Sequence, residues 1–202
     1  GDVYKRQSYG WASAGRFHHA QSQIHRFLNC IGGYTKSKNT YSYAAAEVII
    51  PHVLGGNMME LLVQQTSWKS VCQNTEMMVA FGGLPAFNSQ ISNGGTGAHI
   101  QREGVRDAAA AGVRFVNLSP RRSDVKNDIS EDWIHVRPNT DVAIMLAMCH
   151  TLLSEGLHDQ AFMDRYTTGF DRFAAYLRGD DDGTPKTAEW AAAISGMSSD
   201  DI

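Results

Sequence analysis

The stretch Met77–Phe81 (MMVAF), closed by Gly82-Gly83, shows the pattern that decides the fold. It is a short apolar run that ends abruptly at turn-forming residues. Two further runs repeat this pattern: residues 113–118 (VRFVNL) end at Ser119-Pro120-Arg121-Arg122, and residues 133–136 (WIHV) end at Pro138-Asn139-Thr140-Asp141. Apolar runs of this length between turn residues are typical of buried strands. The sequence therefore predicts three strands, each followed by a polar loop.

Helices separate and flank these strands. Residues 97–111 are Ala-rich with Arg and Glu on one side, and residues 141–154 are strongly apolar. Strands that alternate with helices indicate an α/β fold built on a doubly wound, mainly parallel sheet. Further helices are predicted at 17–31, 42–54 (bent or ended near Pro51), 159–166, 169–178 and 186–195, and a loop or short helix at 64–68.

The three loops at the strand ends form the predicted binding region, because ligands of open α/β sheets bind at the carboxyl ends of the strands. Small residues, backbone N–H groups and two arginines suit a nucleotide phosphate. The candidate binding residues are Gly82, Gly83, Asn88, Ser89, Ser119, Pro120, Arg121, Arg122, Asn139, Thr140 and Asp141. Composition alone explains Arg121 and Arg122 equally well as solvated side chains. No G-x-G-x-x-G fingerprint follows a strand and no P-loop is present, which disfavours ordinary nicotinamide or ATP binding.

A second group of candidate residues lies upstream. Tyr9 and Trp11 are two residues apart in the Gly-flanked stretch 8–15 (SYGWASAG), and Ser42 follows Tyr41 ahead of an Ala-rich helix. A phenol, an indole N–H and a hydroxyl that converged on one point could hold and polarise a small oxygen-bearing ligand. Taken alone, Ser42 is better explained as the N-cap of the helix.

Composition excludes several classes of function. The 202 residues carry a net charge of −3 without a Lys/Arg-rich stripe, so no nucleic-acid partner is expected. Cys30, Cys72 and Cys149 are far apart, which argues against a disulfide framework, an iron–sulfur cluster and a zinc site in this segment. No apolar run approaches the ~18 residues of a membrane span. The acidic triplet at 180–182 lacks the downstream Glu of a calcium loop and indicates a solvated turn.

Five ordered motifs resemble one known family. They are residues 8–15, Tyr41-Ser42 with the apolar stretch that follows, residues 64–68 (QQTSW), residues 138–146 (PNTDVAIML) and residues 184–190 (TPKTAEW). Together they resemble the dimethyl sulfoxide reductase family of molybdopterin oxidoreductases. The matching branch is that of the dimethyl sulfoxide, trimethylamine N-oxide and biotin sulfoxide reductases. The resemblance covers residues 8–202, and since family members are several times longer it implies an N-proximal fragment of a multidomain enzyme.

The resemblance implies roles for the upstream residues. Ser42 matches the serine that ligates molybdenum, and a hard high-valent metal favours an alkoxide oxygen. Tyr9 matches the tyrosine whose hydroxyl bonds the transferred oxygen. Trp11 matches the tryptophan whose indole N–H faces the same position. Both would stabilise charge as the oxygen moves.

The implied cofactor is molybdenum held by two molybdopterin guanine dinucleotides. The loop at 82–89 would let the backbone approach the pyrophosphate, and residues 119–122 and 139–141 would hold ribose and guanine. Three positions depart from the family pattern: Phe87 replaces a common Lys, Ser119 a common Asp, and Tyr43 a small hydroxyl residue.

The expected function is molybdenum-dependent reduction of S-oxides or N-oxides by oxygen-atom transfer, with S-oxides favoured. Trimethylamine N-oxide reduction and a non-catalytic nucleotide-binding role are the alternatives. A cytochrome or other redox protein is the expected electron donor. Residues 1–7 (GDVYKRQ) are expected to be a sequence artefact, 8–55 part of the molybdenum-site α/β domain, and 56–202 the dinucleotide-binding domain with a helical C-terminal part. A bacterial enzyme is expected, with the periplasm favoured over the cytoplasm.

Overall fold

The computed structural model describes residues 17–36, 38–39, 42–87, 100–125, 129 and 132–202. The helices there are α1 (Ala20–Cys30), α2 (Ala44–Val53), α3 (Met58–Val63), α4 (Trp68–Asn74), α5 (Gln101–Ala110), α6 (Asp141–Ser154), α7 (Gln160–Tyr166), α8 (Phe170–Arg178) and α9 (Ala188–Ser195). The strands are β1 (Met77–Phe81), β2 (Arg114–Leu118) and β3 (Asp132–Ile134). The chain forms two compact units, residues 1–75 with 86–112 and residues 76–85 with 113–202.

The second unit contains a parallel sheet in the order β1-β2-β3. Phe81 is in register with Leu118, and Leu118 with Ile134, so the three strands end close to one level. The predicted α/β fold with a parallel sheet is confirmed. The third strand is shorter than predicted, because the ladder ends at Ile134 and the Arg137 N–H donates to the Ser195 carbonyl instead.

The second unit also contains α6 to α9, and α6 packs against both α8 and α9. Leu118 at the end of β2 packs with Ile144 of α6, Val136 and Met197 in one buried cluster. A second cluster consists of Ala143, Ala147 and Ala191, whose small side chains let α6 and α9 approach closely. The predicted apolar helix at 141–154 is confirmed at both ends.

The first unit contains α1 to α5. The Asn57 side chain accepts from the Glu60 N–H and the Glu60 carboxylate accepts from the Asn57 N–H, a capping box that begins α3. Helices α4 and α5 pack through Gly104, where an added Cβ would lie 2.2 Å from the Trp68 ring. Among the described residues, no helix is long and apolar enough to cross a membrane.

The start of α2 differs from the prediction. Tyr43 occupies the N-cap position, so the expectation that Ser42 caps this helix is wrong. The helical backbone begins only at Ala44, in a run of three alanines with high helix propensity, and Tyr43 makes no side-chain cap. Pro51 lies inside the helix, which continues to Val53 and ends at Leu54.

Candidate functional site

Backbone hydrogen bonds join the loops that follow β1 and β2. We call residues 82–87 the first loop and residues 119–124 the second loop. The Gly82 N–H donates to the Leu118 carbonyl at 2.9 Å, and the Leu84 N–H donates to the Asp124 carbonyl at 2.8 Å. Gly82 and Gly83 both have positive φ, +80° and +74°, which lets the chain turn back at the end of β1. The structure therefore brings these two predicted loops together at the carboxyl edge of the sheet.

Ser119 lies beneath the surface of the second loop, with 0% of its area exposed. Its Oγ donates to Asp124 Oδ2 at 2.6 Å and accepts from the Arg121 N–H at 3.1 Å. Its carbonyl accepts from Trp133 Nε1 of β3 at 2.9 Å. Both the hydroxyl and the carbonyl of Ser119 therefore bond within the protein.

The two arginines of the second loop are exposed, as is Pro120. The Arg122 carbonyl accepts from Asn117 Nδ2 of β2 at 3.3 Å, which fixes the backbone beneath the side chain. Arg121 Nε lies 3.7 Å from Asp124 Oδ1. This loop presents positive charge to solvent on a backbone that is held from below, an arrangement suited to an anionic ligand.

The third predicted loop, at 139–141, precedes α6. Asn139 has a φ of +64°. Thr140 Oγ1 donates to the Arg137 carbonyl at 2.6 Å, so the hydroxyl turns away from the helix N-terminus and makes no cap. Asp141 lies in the first helical turn, where a carboxylate is stabilised by the helix dipole. The Thr140 hydroxyl therefore bonds within its own turn.

Ser42 belongs to the first unit and is an exposed residue in the turn before α2. Tyr9, Trp11, Asn88 and Ser89 lie outside the described residues, so their predicted roles stay predictions. In the described part of the chain, no three His, Cys, Asp or Glu side chains come close enough to hold a metal ion.

Comparison with known proteins identifies the family. A family model described as molybdopterin oxidoreductase matches residues 3–198. The chain belongs to the molybdopterin oxidoreductase family. Membership implies molybdenum carried by molybdopterin, in agreement with the resemblance seen in the sequence.

Three relatives each align with 96% of this chain. The dimethyl sulfoxide/trimethylamine N-oxide reductase of Cereibacter sphaeroides is 45% identical, with 23% of its length covered. The biotin sulfoxide reductase of the same organism is 39% identical, with 26% covered. The trimethylamine-N-oxide reductase of Haemophilus influenzae is 38% identical, with 23% covered. The chain spans about a quarter of the length of these curated relatives.

Two buried polar residues of this chain were not predicted from the sequence. Asn117 is 1% exposed and Asp124 is 7% exposed, and both bond to the second loop. A polar residue inside an apolar strand is the signal that could have indicated Asn117, since buried amides need partners. Asp124 lies in a polar stretch, where the pattern gives no sign that it turns inward.

Proposed function

We propose that this segment belongs to a molybdenum-dependent reductase of S-oxides or N-oxides, with S-oxides favoured. The observation that carries the proposal is 38–45% identity over nearly the whole chain to reductases named for dimethyl sulfoxide, biotin sulfoxide and trimethylamine N-oxide. Because those names include both classes of oxide, trimethylamine N-oxide reduction is the second candidate. A non-catalytic nucleotide-binding role is the third.

We propose the bis(molybdopterin guanine dinucleotide) form of the cofactor. The first and second loops fit such a group, because no described residue lies within 4 Å of a Cβ built on Gly82 and the arginines of the second loop are exposed. A dinucleotide pyrophosphate could approach the Gly82 backbone, with Arg121 and Arg122 supplying positive charge. Asn139, Thr140 and Asp141 would contact the ribose and guanine, and the Asp141 carboxylate would accept from guanine N–H groups.

Ser42 would ligate the metal through its oxygen, and its exposed position in the turn before α2 suits that role. When bound, the molybdenum centre supplies the acceptor for the oxygen atom and the two electrons that reduce the substrate. Tyr9 would donate its phenol hydrogen to the oxide oxygen, and Trp11 would direct its indole N–H to the same position.

Domain organisation, partners and location follow from the same proposal. Residues 8–55 would contribute to the molybdenum-site domain and residues 56–202 to the dinucleotide-binding domain. A cytochrome or another redox protein would return the electrons. We propose a bacterial enzyme, with the periplasm favoured over the cytoplasm.

The test is made on the full-length protein that carries this segment. Stoichiometric molybdenum and guanine nucleotide in the purified protein, with reduction of an S-oxide or N-oxide, would support the proposal. Replacing Ser42 with Ala should abolish or severely alter oxide reduction, while stability changes by only about 0.5 kcal/mol because Ser42 does not cap α2.

Ser154→Ala serves as the matched control, since it removes another exposed hydroxyl, one that donates to the Thr151 carbonyl. It should keep full activity. A Ser42→Ala enzyme with unchanged activity would remove the ligand role. A protein that held guanine nucleotide without molybdenum would favour the non-catalytic nucleotide-binding alternative.

A further inference from the structure

We propose that the buried Ser119–Asp124 pair is a positioning device for the dinucleotide, so that Ser119 acts through Asp124 and not by touching the ligand. The inference rests on the proposed function and refines it. Sequence reasoning placed Ser119 among the residues that contact the cofactor. The structure assigns its hydroxyl to the interior of the second loop.

The Ser119 hydroxyl is buried and already has partners within the protein. A serine hydroxyl has a single proton, and here Oγ directs it at Asp124 Oδ2 over 2.6 Å. The Arg121 N–H occupies the acceptor side. With 0% of the residue exposed, a ligand could reach Oγ only after the second loop had opened. Direct contact between this hydroxyl and a dinucleotide is therefore incompatible with the folded loop.

Asp124 connects the two loops. Its carbonyl accepts from the Leu84 N–H of the first loop. Its Cβ lies against Gly83, where an added methyl would come within 2.3 Å. Its carboxylate holds the Ser119 hydroxyl and lies 3.7 Å from the Arg121 guanidinium. Asp124 thus joins the two loops through its backbone and Cβ, while its carboxylate holds the Ser119 hydroxyl beside the backbone that presents Arg121.

Loss of the Ser119–Asp124 pair should weaken binding of the dinucleotide. Pyrophosphate recognition needs backbone N–H groups and guanidinium groups in fixed positions before the ligand arrives, since ordering them afterwards reduces affinity. Removing either member of the pair leaves the other buried without its partner. The loops then loosen, and the dinucleotide should leave faster although no direct contact to it has been lost.

The experiment measures how fast guanine nucleotide leaves the full-length holoenzyme in dilute urea, below its unfolding transition. Ser119→Ala and Asp124→Ala should each release nucleotide about tenfold faster, the effect of one buried hydrogen bond. The double variant should release it no faster than Asp124→Ala alone, because that change already breaks the Ser119–Asp124 bond. The KM for the oxide should stay unchanged in molecules that retain cofactor.

Two further variants keep the test decisive. Asp124→Asn retains an acceptor for Ser119 and should release nucleotide more slowly than Asp124→Ala, even if the alanine variants load poorly. Ser154→Ala removes an exposed hydroxyl outside both loops and should resemble the wild type.

Each outcome separates this inference from the proposed function. A wild-type enzyme without guanine nucleotide would overturn the proposed function. A wild-type enzyme that holds guanine nucleotide would support that function. The positioning role would then fail if the effects of Ser119→Ala and Asp124→Ala on nucleotide release were additive. It would also fail if Ser119→Ala accelerated nucleotide release while Asp124→Ala did not, because that result requires direct contact between the Ser119 hydroxyl and the nucleotide.

Discussion

Gly82 and Gly83 show how differently two adjacent residues of the same type can be constrained. Both have positive φ, which costs an L-residue about 1 kcal/mol or more. Within the described part of the chain, only Gly83 also faces a neighbour. That neighbour is Asp124, whose Cβ would be 2.3 Å from a new methyl group and whose backbone carbon would be 3.2 Å away. Backbone atoms cannot move aside as a flexible side chain can, so the first loop would have to separate from the second.

Replacing Gly83 with Ala should therefore destabilise the full-length protein by about 3 kcal/mol, the sum of backbone strain and overpacking. Gly82→Ala is the matched control, because it carries the same φ strain with open space around the new Cβ. It should cost only about 1 kcal/mol. Chemical denaturation of both variants checks the prediction. Equal losses would show that the contact with Asp124 has no energetic weight.

Sequence reasoning predicted that the loops after β1 and β2 meet at one edge of the sheet, but it could not say which of their side chains are exposed. It placed Arg121 and Ser119 together among the binding residues, whereas the structure leaves Arg121 exposed and buries Ser119. The difference arises because orientation within a loop depends on long-range partners. Trp133 of β3 and Leu84 of the first loop bond to this loop, and no local pattern encodes those contacts.

At the scale of elements, the sequence predicted best where a periodic pattern was long. Helix α6 matches the predicted range because fourteen residues hold one apolar pattern between a polar turn and a polar end. Helix α3 was missed because six residues are too few to show helical periodicity. Its signal was the Asn57–Glu60 capping box, which can be found without any periodicity.

The acidic triplet at 180–182 is exposed, as its composition indicated, but the same turn between α8 and α9 also contains a buried cation. Lys186 is only 2% exposed and donates to Asp182 Oδ2 at 2.7 Å, with its Nζ 4.5 Å from the centre of the Tyr176 ring. The hydrogen bond from Lys186, aided by the Thr184 N–H, holds the pKa of Asp182 below its ordinary value of 3.8. Composition could not reveal this, because an acidic triplet is most often fully hydrated.

The lowered pKa of Asp182 makes the stability of this turn depend on pH. Since the folded value is below the unfolded one, ionised Asp182 contributes stability above pH 3.8, and that stability is lost as the pH falls through the folded pKa. Replacing Asp182 with Asn should lower the Tm at neutral pH. The difference from the wild type should shrink once the pH drops below that ordinary value.

Thermal unfolding of the full-length protein across the acidic range measures this difference. Asp181→Asn is the control, because it removes a neighbouring exposed carboxylate that does not bond to Lys186. It should leave the Tm nearly unchanged. A difference between Asp182→Asn and the wild type that persisted undiminished at the lowest pH would contradict the assigned ion pair.

At the scale of the whole molecule, a parallel sheet explains why residues distant in sequence form one candidate site. Parallel strands end at the same edge, so the loops after Phe81 and Leu118 meet although these two strand ends, which are in register, are 37 positions apart in the sequence. The sequence predicts this meeting from strand direction alone. The chain spans only about a quarter of its relatives' length.

We expect Tyr9 to determine which class of oxide the full-length enzyme prefers. A phenol placed at the transferred oxygen stabilises the charge that develops as the S–O or N–O bond breaks, and loss of one such donor can cost ~3 kcal/mol in the transition state. Within the resembled family, enzymes specialised for trimethylamine N-oxide tend to lack this tyrosine and S-oxide reductases keep it. Its presence here favours S-oxides.

Replacing Tyr9 with Phe in the full-length enzyme should therefore lower kcat/KM for sulfoxides more than for trimethylamine N-oxide. Steady-state kinetics on both substrates, normalised to bound molybdenum, give the comparison. Tyr166→Phe, which removes a hydroxyl from an exposed residue of α7, should change neither value. Equal losses on the two substrates, or a wild type that already prefers the N-oxide, would contradict the S-oxide preference. Either result would leave the molybdenum-dependent oxide reductase standing, because Ser42 and the dinucleotide loops do not depend on which oxide is bound.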